Sequence, residues 1–262
     1  SYLIDRFEVT NEQYGLFLET YPTDPRATLA RLWRGEAFYR QDKFAEAARD
    51  LYAFLTKAPP LDKIEFARLR YGCCLFEIGR HAEAATTLGP LTADTVKDPS
   101  VRQAAWYYLG LSLHAQKQYP QALAALEKVE AGPVAGDAIL ARAEVRSAQG
   151  EHADAAALFA TLVREHPDHR RLGAALLRQG EELRLAGQLD PAAQSFQTLA
   201  DRSKDDPAGL ARAHLGLGWV RYAQQDYAAA RDLAAKAGAE PGLTDDSLYL
   251  AGLAAFQLKD YA

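Results

Sequence analysis

Residues 106–129, WYYLGLSLHAQKQYPQALAALEKV, place Trp106, Leu109, Gly110, Leu113, Tyr119, Ala122, Leu126 and Val129 at the spacing of two amphipathic helices joined near Lys117. The same spacing recurs upstream. It runs from Gly35 through Phe38, Phe44, Ala47, Leu51, Phe54 and Pro59, and from Gly72 through Leu75, Gly79, Ala84, Leu88 and Leu91. Downstream it passes through Ile139, Ala143, Gly150, Ala155, Phe159, Leu162 and Pro167, then Leu176, Gly180, Leu183, Gly187, Ala192, Phe196 and Leu199. A weaker copy uses Leu217, Gly218, Tyr227, Ala230, Ala234 and Ala237, and a last one has Leu248, Gly252, Ala255 and Tyr261. Extra residues between copies fall in turn-rich pieces such as Leu91 to Ser100 and Ala200 to Pro207.

A physical reason underlies the pattern. Glycine or alanine in the first helix admits the second closely, and Ala47, Ala84, Ala122, Ala155, Ala192 and Ala230 do the reverse. Each helix pair leaves an apolar face that only the next pair covers, so stability is shared between neighbours.

These residues closely resemble the tetratricopeptide-repeat (TPR) signature. The resemblance implies an all-α, right-handed superhelix of antiparallel helix pairs over residues 23–262, with repeats near 27–60, 64–98, 102–134, 135–168, 172–205, 210–240 and an incomplete one at 244–262. Tyr261 and Ala262 then begin the second helix of that last repeat, and Leu248, Ala251, Ala255 and Leu258 are expected to be only partly covered. Self-assembly through that end is one consequence.

Residues 1–22 depart from the array. Leu3, Phe7 and Val9 sit at even separations, as in a strand. Thr10 with Gln13 reads as a capping box, and Tyr14, Phe17 and Leu18 share a helix face that ends by Pro22. The expectation is strand, turn, helix. Ile4 to Tyr14 with Phe17 resembles the opening motif of formylglycine-generating (sulfatase-modifying-factor) domains. That family's cysteine-bearing catalytic portion has no counterpart here, so no catalytic residue carries over. A truncated domain, a fusion and the joining of discontinuous pieces all fit this segment.

The 262 residues are 48% hydrophobic and 25% charged, which suffices for a substantial core. A net charge of −5 gives no general drive toward nucleic acid or anionic lipid. The longest nearly apolar stretch, Leu248 to Leu258, is about half of the ~20 residues that span a bilayer. Cys73 and Cys74 are adjacent, hence poorly placed for a mutual disulfide, and read as buried thiols. The Ala- and Arg-rich composition is similar to envelope-associated bacterial TPR proteins, which points to the cell envelope or periplasm and leaves the cytoplasm open.

No catalytic set emerges. His166 and His169 flank a turn without a third ligand of defined position, and His81 and His152 stand where other repeats have Phe44, Tyr119 and Tyr227, as packing substitutes. In Glu181-Glu182, Asp205-Asp206 and Asp245-Asp246 neighbouring side chains diverge, and the latter two pairs precede or open helices, where acids favour the dipole. Gly216-Leu217-Gly218 lies inside a helix and is no dinucleotide loop. The reading is non-enzymatic, with no cofactor and no metal.

What remains is the surface that first helices line in TPR proteins. The resemblance places Trp33, Tyr39, Phe76, Tyr107, His114, Trp219, Tyr222, Tyr249 and Phe256 there, with Arg40, Arg70, Arg178 and Arg184 among them. Aromatic residues interleaved with arginines suit capture of a peptide, helix or protein surface. Packing between adjacent first helices is the competing role for the same rings. The expected function is an interaction scaffold or adaptor binding in the concave groove, with a recruiting arm for a formylglycine-type domain, or a self-assembly module, as alternatives. The lack of asparagine in the array argues against the asparagine-built carboxylate clamp of chaperone adaptors, since Asn11 is the chain's only asparagine.

Overall fold

The computed structural model describes residues 10–57 and 61–259, and every regular element among them is helical. The chain order is α1 (Asn11–Thr20), α2 (Arg26–Tyr39), α3 (Phe44–Leu55), α4 (Leu61–Glu77), α5 (His81–Leu88), α6 (Pro99–Ala115) and α7 (Tyr119–Leu126). It continues with α8 (Ala135–Ala148), α9 (His152–Glu165), α10 (Leu172–Leu185), α11 (Leu189–Arg202), α12 (Pro207–Ala223), α13 (Tyr227–Ala237) and α14 (Thr244–Leu258). Short 3-10 turns occupy Gly89–Thr92 and Pro241–Leu243. The strand expected at residues 2–9, Pro59 of the first copy, and Tyr261 and Ala262 all lie outside the described residues. Of the expected strand, turn and helix, the described residues therefore support only the helix.

That helix is α1. Gln13 N donates to Thr10 Oγ1 at 3.2 Å and Thr10 N to Gln13 Oε1 at 2.8 Å, closing the capping box. Leu18, with Tyr14 and Phe17 beside it, packs on Ala27 and Ala30 of α2. The helix thus covers the first face of the repeating helices.

The chain forms two compact units, residues 1–138 and 139–262. In the first, α2 with α3, α4 with α5 and α6 with α7 are hairpins, and α3 packs on α4 and α5 on α6. In the second, Leu140 and Ala143 of α8 share a core with Ala155, Phe159 and Leu162 of α9 and Ala175 of α10. There α10 pairs with α11 and α12 with α13, while α9 packs on α10, α11 on α12 and α13 on α14.

One turn recurs between the helices of a hairpin. Its left-handed residue is Asp42, Gly79, Lys117, Gly150, Gly187 or Gln225, with φ between 57° and 80°. The next amide reaches back five residues to a helical carbonyl, as Lys43 to Phe38, Arg80 to Leu75, Gln118 to Leu113, Glu151 to Arg146, Gln188 to Leu183 and Asp226 to Arg221. This is the Schellman closure, which satisfies carbonyls orphaned at the helix end. Lys259 after α14 adopts the same conformation, with φ 58°.

Close approach follows from the small-residue column. A β-carbon on Gly35 would stand 2.9 Å from Leu51, on Gly72 2.5 Å from Leu88, on Gly110 2.5 Å from Leu126 and on Gly180 2.6 Å from Phe196. The weaker sixth copy fills its layer differently. Where the fifth has Phe196, it has Ala234, and Leu250 of α14 reaches across to within 2.8 Å of the corresponding position on Gly218. The Phe196 ring needs a second glycine, Gly216, since a β-carbon there would collide with it as well. Bulk has moved from one helix to its neighbour.

Candidate functional site

In the first unit, the side chains singled out by sequence are drawn into internal packing. Trp33 lies 6.3 Å from Phe66 between ring centroids, and Phe76 sits between His81 at 5.3 Å and Tyr108 at 5.9 Å, with Tyr107 against Tyr108 at 5.2 Å. Arg70 stacks 4.6 Å over the Tyr39 ring while its Nε donates to Glu36 Oε2 at 2.8 Å. Arg40 donates to the other Glu36 oxygen at 2.9 Å. A buried carboxylate needs such partners, so Arg70 ties two repeats together here. Burial also raises the Tyr39 and Tyr108 phenols, pushes the Cys74 thiol up to about 12 and raises Cys73 as well. Both thiols are neutral near pH 7 and make poor nucleophiles.

A pairing rule explains four of the candidates. The last aromatic of a first helix meets the opening residue of the second across the turn: Tyr39 with Phe44, Phe76 with His81, His114 with Tyr119 and Tyr222 with Tyr227, all within 5.8 Å. The fifth copy, with Arg184 and Leu189, breaks the rule, and so does the fourth. The fourth has Ser147 and His152, which bond Glu182 of the next repeat at 2.6 and 2.7 Å. Arg178 donates to Glu182 Oε1 at 3.0 Å, to Ser147 Oγ at 2.9 Å and to Glu181 Oε2 at 3.1 Å. Glu182 is 1% exposed, in a column otherwise filled by residues such as Cys74, Ser112, Val145, Val220 and Ala254. A charge in that column was the readable sign of this network, and reading Glu181-Glu182 as a pair hid it.

The second unit presents a different face on α10, α12 and α14. Trp219 stands 6.1 Å from both Tyr222 and Tyr249, making a continuous aromatic cluster. Unlike the half-buried rings of the first unit, Tyr249 and Phe256 are each 63% exposed, with Leu248 at 65% and Leu185 at 52%. Beside Trp219 lies a cleft of about 420 Å3 lined by Leu177, Arg184, Leu185, Leu215 and Leu243, among others, with Gly216 and Phe196 also facing it. Monomer surfaces rarely hold large apolar groups together without a reason. The sequence singled out Arg184 and Trp219 but not Leu185 or Arg212. Leu185 was detectable as the one large apolar residue in a column otherwise of Arg40, Glu77, Ala115, Ala148, Ala223 and Gln257.

The remaining residues weighed for chemistry sit at helix ends. Asp245 and Asp246 open α14, Asp206 stands at the start of α12, and the Arg171 amide donates to His169 Nδ1 at 3.2 Å. Among the described residues no group of three metal-ligating side chains converges, and no helix is long and apolar enough to cross a membrane.

A family model described as Tetratricopeptide repeat matches residues 12–62, 72–136, 140–207 and 177–244. Among solved structures, the C-terminal part of a TPR repeat-containing protein from Cytophaga hutchinsonii is similar with a TM-score of 0.72 at 13% identity, over 91% of this chain and 93% of that one. A tetratricopeptide repeat protein from Parabacteroides merdae gives a TM-score of 0.57 at 18% identity, over 93% and 90%. YrrB, described as a TPR protein with an unusual peptide-binding site, gives 0.58 at 17% identity, over 81% and 99%. These likenesses show the fold. No curated protein matches the chain.

Proposed function

We propose, from the premise that this chain belongs to the tetratricopeptide-repeat family, that it is a non-enzymatic scaffold holding a peptide or helix of another protein on the face of α10, α12 and α14. The observation that carries this reading is the Trp219–Tyr222–Tyr249 cluster, with Leu185 exposed in the adjoining cleft and Phe256 exposed seven residues beyond Tyr249 on α14. Large rigid rings bury area at small entropic cost, which is why tryptophan and tyrosine dominate binding hot spots. A peptide-binding site in a relative of the same fold, YrrB, is compatible with this use of the helices. The first unit's candidates serve mainly to join repeats, because their rings are half-buried and Arg70 is ion-paired with Glu36, whereas Leu185, Tyr249 and Phe256 stand exposed.

Affinity capture with the intact chain, followed by titration of the captured partner, tests the proposal. Trp219→Ala should weaken binding by about 2 kcal/mol or more while helicity is unchanged. A folded variant lacking Trp219, Tyr222 and Phe256 together that binds at full strength would move the site elsewhere.

A further inference from the structure

The cleft beside Trp219 holds two arginines that no ion pair engages. Arg184 on α10 and Arg212 on α12 both line it, and among the described residues neither has an ion-pair partner. Arg178 and Arg171 of this unit are by contrast ion-paired, with Glu181 and Glu182 and with Glu144. Two carboxylates also line the cleft. Glu181 is paired at 3.1 Å with Arg178, which also holds Glu182, and Asp246 sits in the first turn of α14, where the helix's positive end favours a carboxylate. Arg184 and Arg212 are therefore the cationic groups of the cleft that no ion pair among the described residues engages, in a chain whose net charge is −5.

The walls between these charges are apolar, formed by Leu177, Leu185, Leu215 and Trp219. Over Gly216 the Phe196 ring closes the floor of the cleft. Excluding water from such a cleft strengthens a charge pair formed inside it. The planar arginine fork matches a carboxylate with two parallel hydrogen bonds, and a neutral amide forfeits the charge while a lysine meets repulsion. We propose that the cleft takes an acidic peptide, with an aliphatic or aromatic side chain against Trp219 and Leu185 and a neighbouring carboxylate held by Arg184 and Arg212. This rests on the reading of the face as a peptide-binding surface and adds the chemistry of the peptide. The overall acidity of the chain favours this ligand over a nucleic acid, whose long phosphate backbone would meet repulsion beyond the cleft.

The test uses the full chain and fluorescence anisotropy of a fluorescein-labelled peptide, Gly-Ser-Glu-Phe-Glu-Glu-Leu-Gly-Ser, compared with versions in which every Glu is Gln or Lys. The Glu peptide should bind at least about tenfold more tightly than the Gln peptide, and the Lys peptide more weakly still. In the Arg184→Gln/Arg212→Gln variant, with circular dichroism and melting unchanged, the Glu-over-Gln preference should fall below about threefold. A preference that survives in that variant overturns the proposal, as does failure of the Glu peptide to bind the folded wild-type chain. If the Glu and Gln peptides bind alike and Trp219→Ala abolishes both, the face binds peptides but the acidic selectivity is wrong. If Trp219→Ala leaves peptide binding untouched, the reading of the face as the binding surface fails too.

Discussion

At the scale of single residues, the array conserves volume by trading it between neighbouring helices. Phe196 presses on both Gly180 and Gly216, whereas one repeat later Ala234 leaves space that Leu250 fills. Phe196 and Leu250 are both fully buried, so neither can yield without a cavity or a clash. Gly216→Leu should therefore destabilise the chain by about 1 to 3 kcal/mol. Adding Phe196→Ala imitates the next layer, and urea melts of the single and double variants should show a favourable coupling of about 1 kcal/mol or more. Strict additivity would mean that the two positions do not share one space. The signature positions in this exchange were legible from sequence. The compensation was not, because Gly216 lies outside the column that repeats as glycine.

At the scale of elements, the turn that closes each hairpin demands a left-handed residue, and the chain meets that demand unevenly. Gly79, Gly150 and Gly187 adopt it freely, while Asp42, Lys117 and Gln225 hold it with a side chain present. A β-carbon at Gly150 would have open space around it, so Gly150→Ala isolates the backbone cost. It should lose about 1 kcal/mol. Lys117→Gly, at the equivalent place with φ 59°, relieves strain but frees the unfolded chain, and the two effects should cancel to within about 0.5 kcal/mol. Denaturant midpoints at constant m-value check both; equal losses in the two variants would remove the conformational explanation. Helix pairs and their junction near Lys117 were readable from spacing alone. The shared turn conformation was not, because only half of these turns carry the glycine that announces it.

At the scale of the whole molecule, an array in which each repeat touches only its neighbours has local stability set by how many neighbours each helix has. Helix α14 packs Leu250 and Ala254 inward but leaves Leu248, Tyr249 and Phe256 exposed, whereas α10 buries Leu172, Ala175, Leu176, Gly180, Glu182 and Leu183. Native-state hydrogen exchange should therefore find the amides of α14 opening at lower free energy than those of α10 and α11. Equal protection would mean that the second unit opens as one block. The succession of helices, their pairing and the tight small-residue contacts were determined by the sequence alone, because each depends on residues a few turns apart that repeat every 33 to 38 positions. Which candidate side chains stay free for a partner was decided only by the tertiary structure. Arg70, Arg178 and Arg184 all read from the sequence as arginines on first helices, yet the first two meet Glu36 and Ser147 of the adjacent repeat and the third has no such partner among the described residues. The physical reason is that a side chain on a first helix is buried or exposed according to the residue facing it from the adjacent repeat, more than thirty positions away, and periodicity repeats the place without specifying that neighbour.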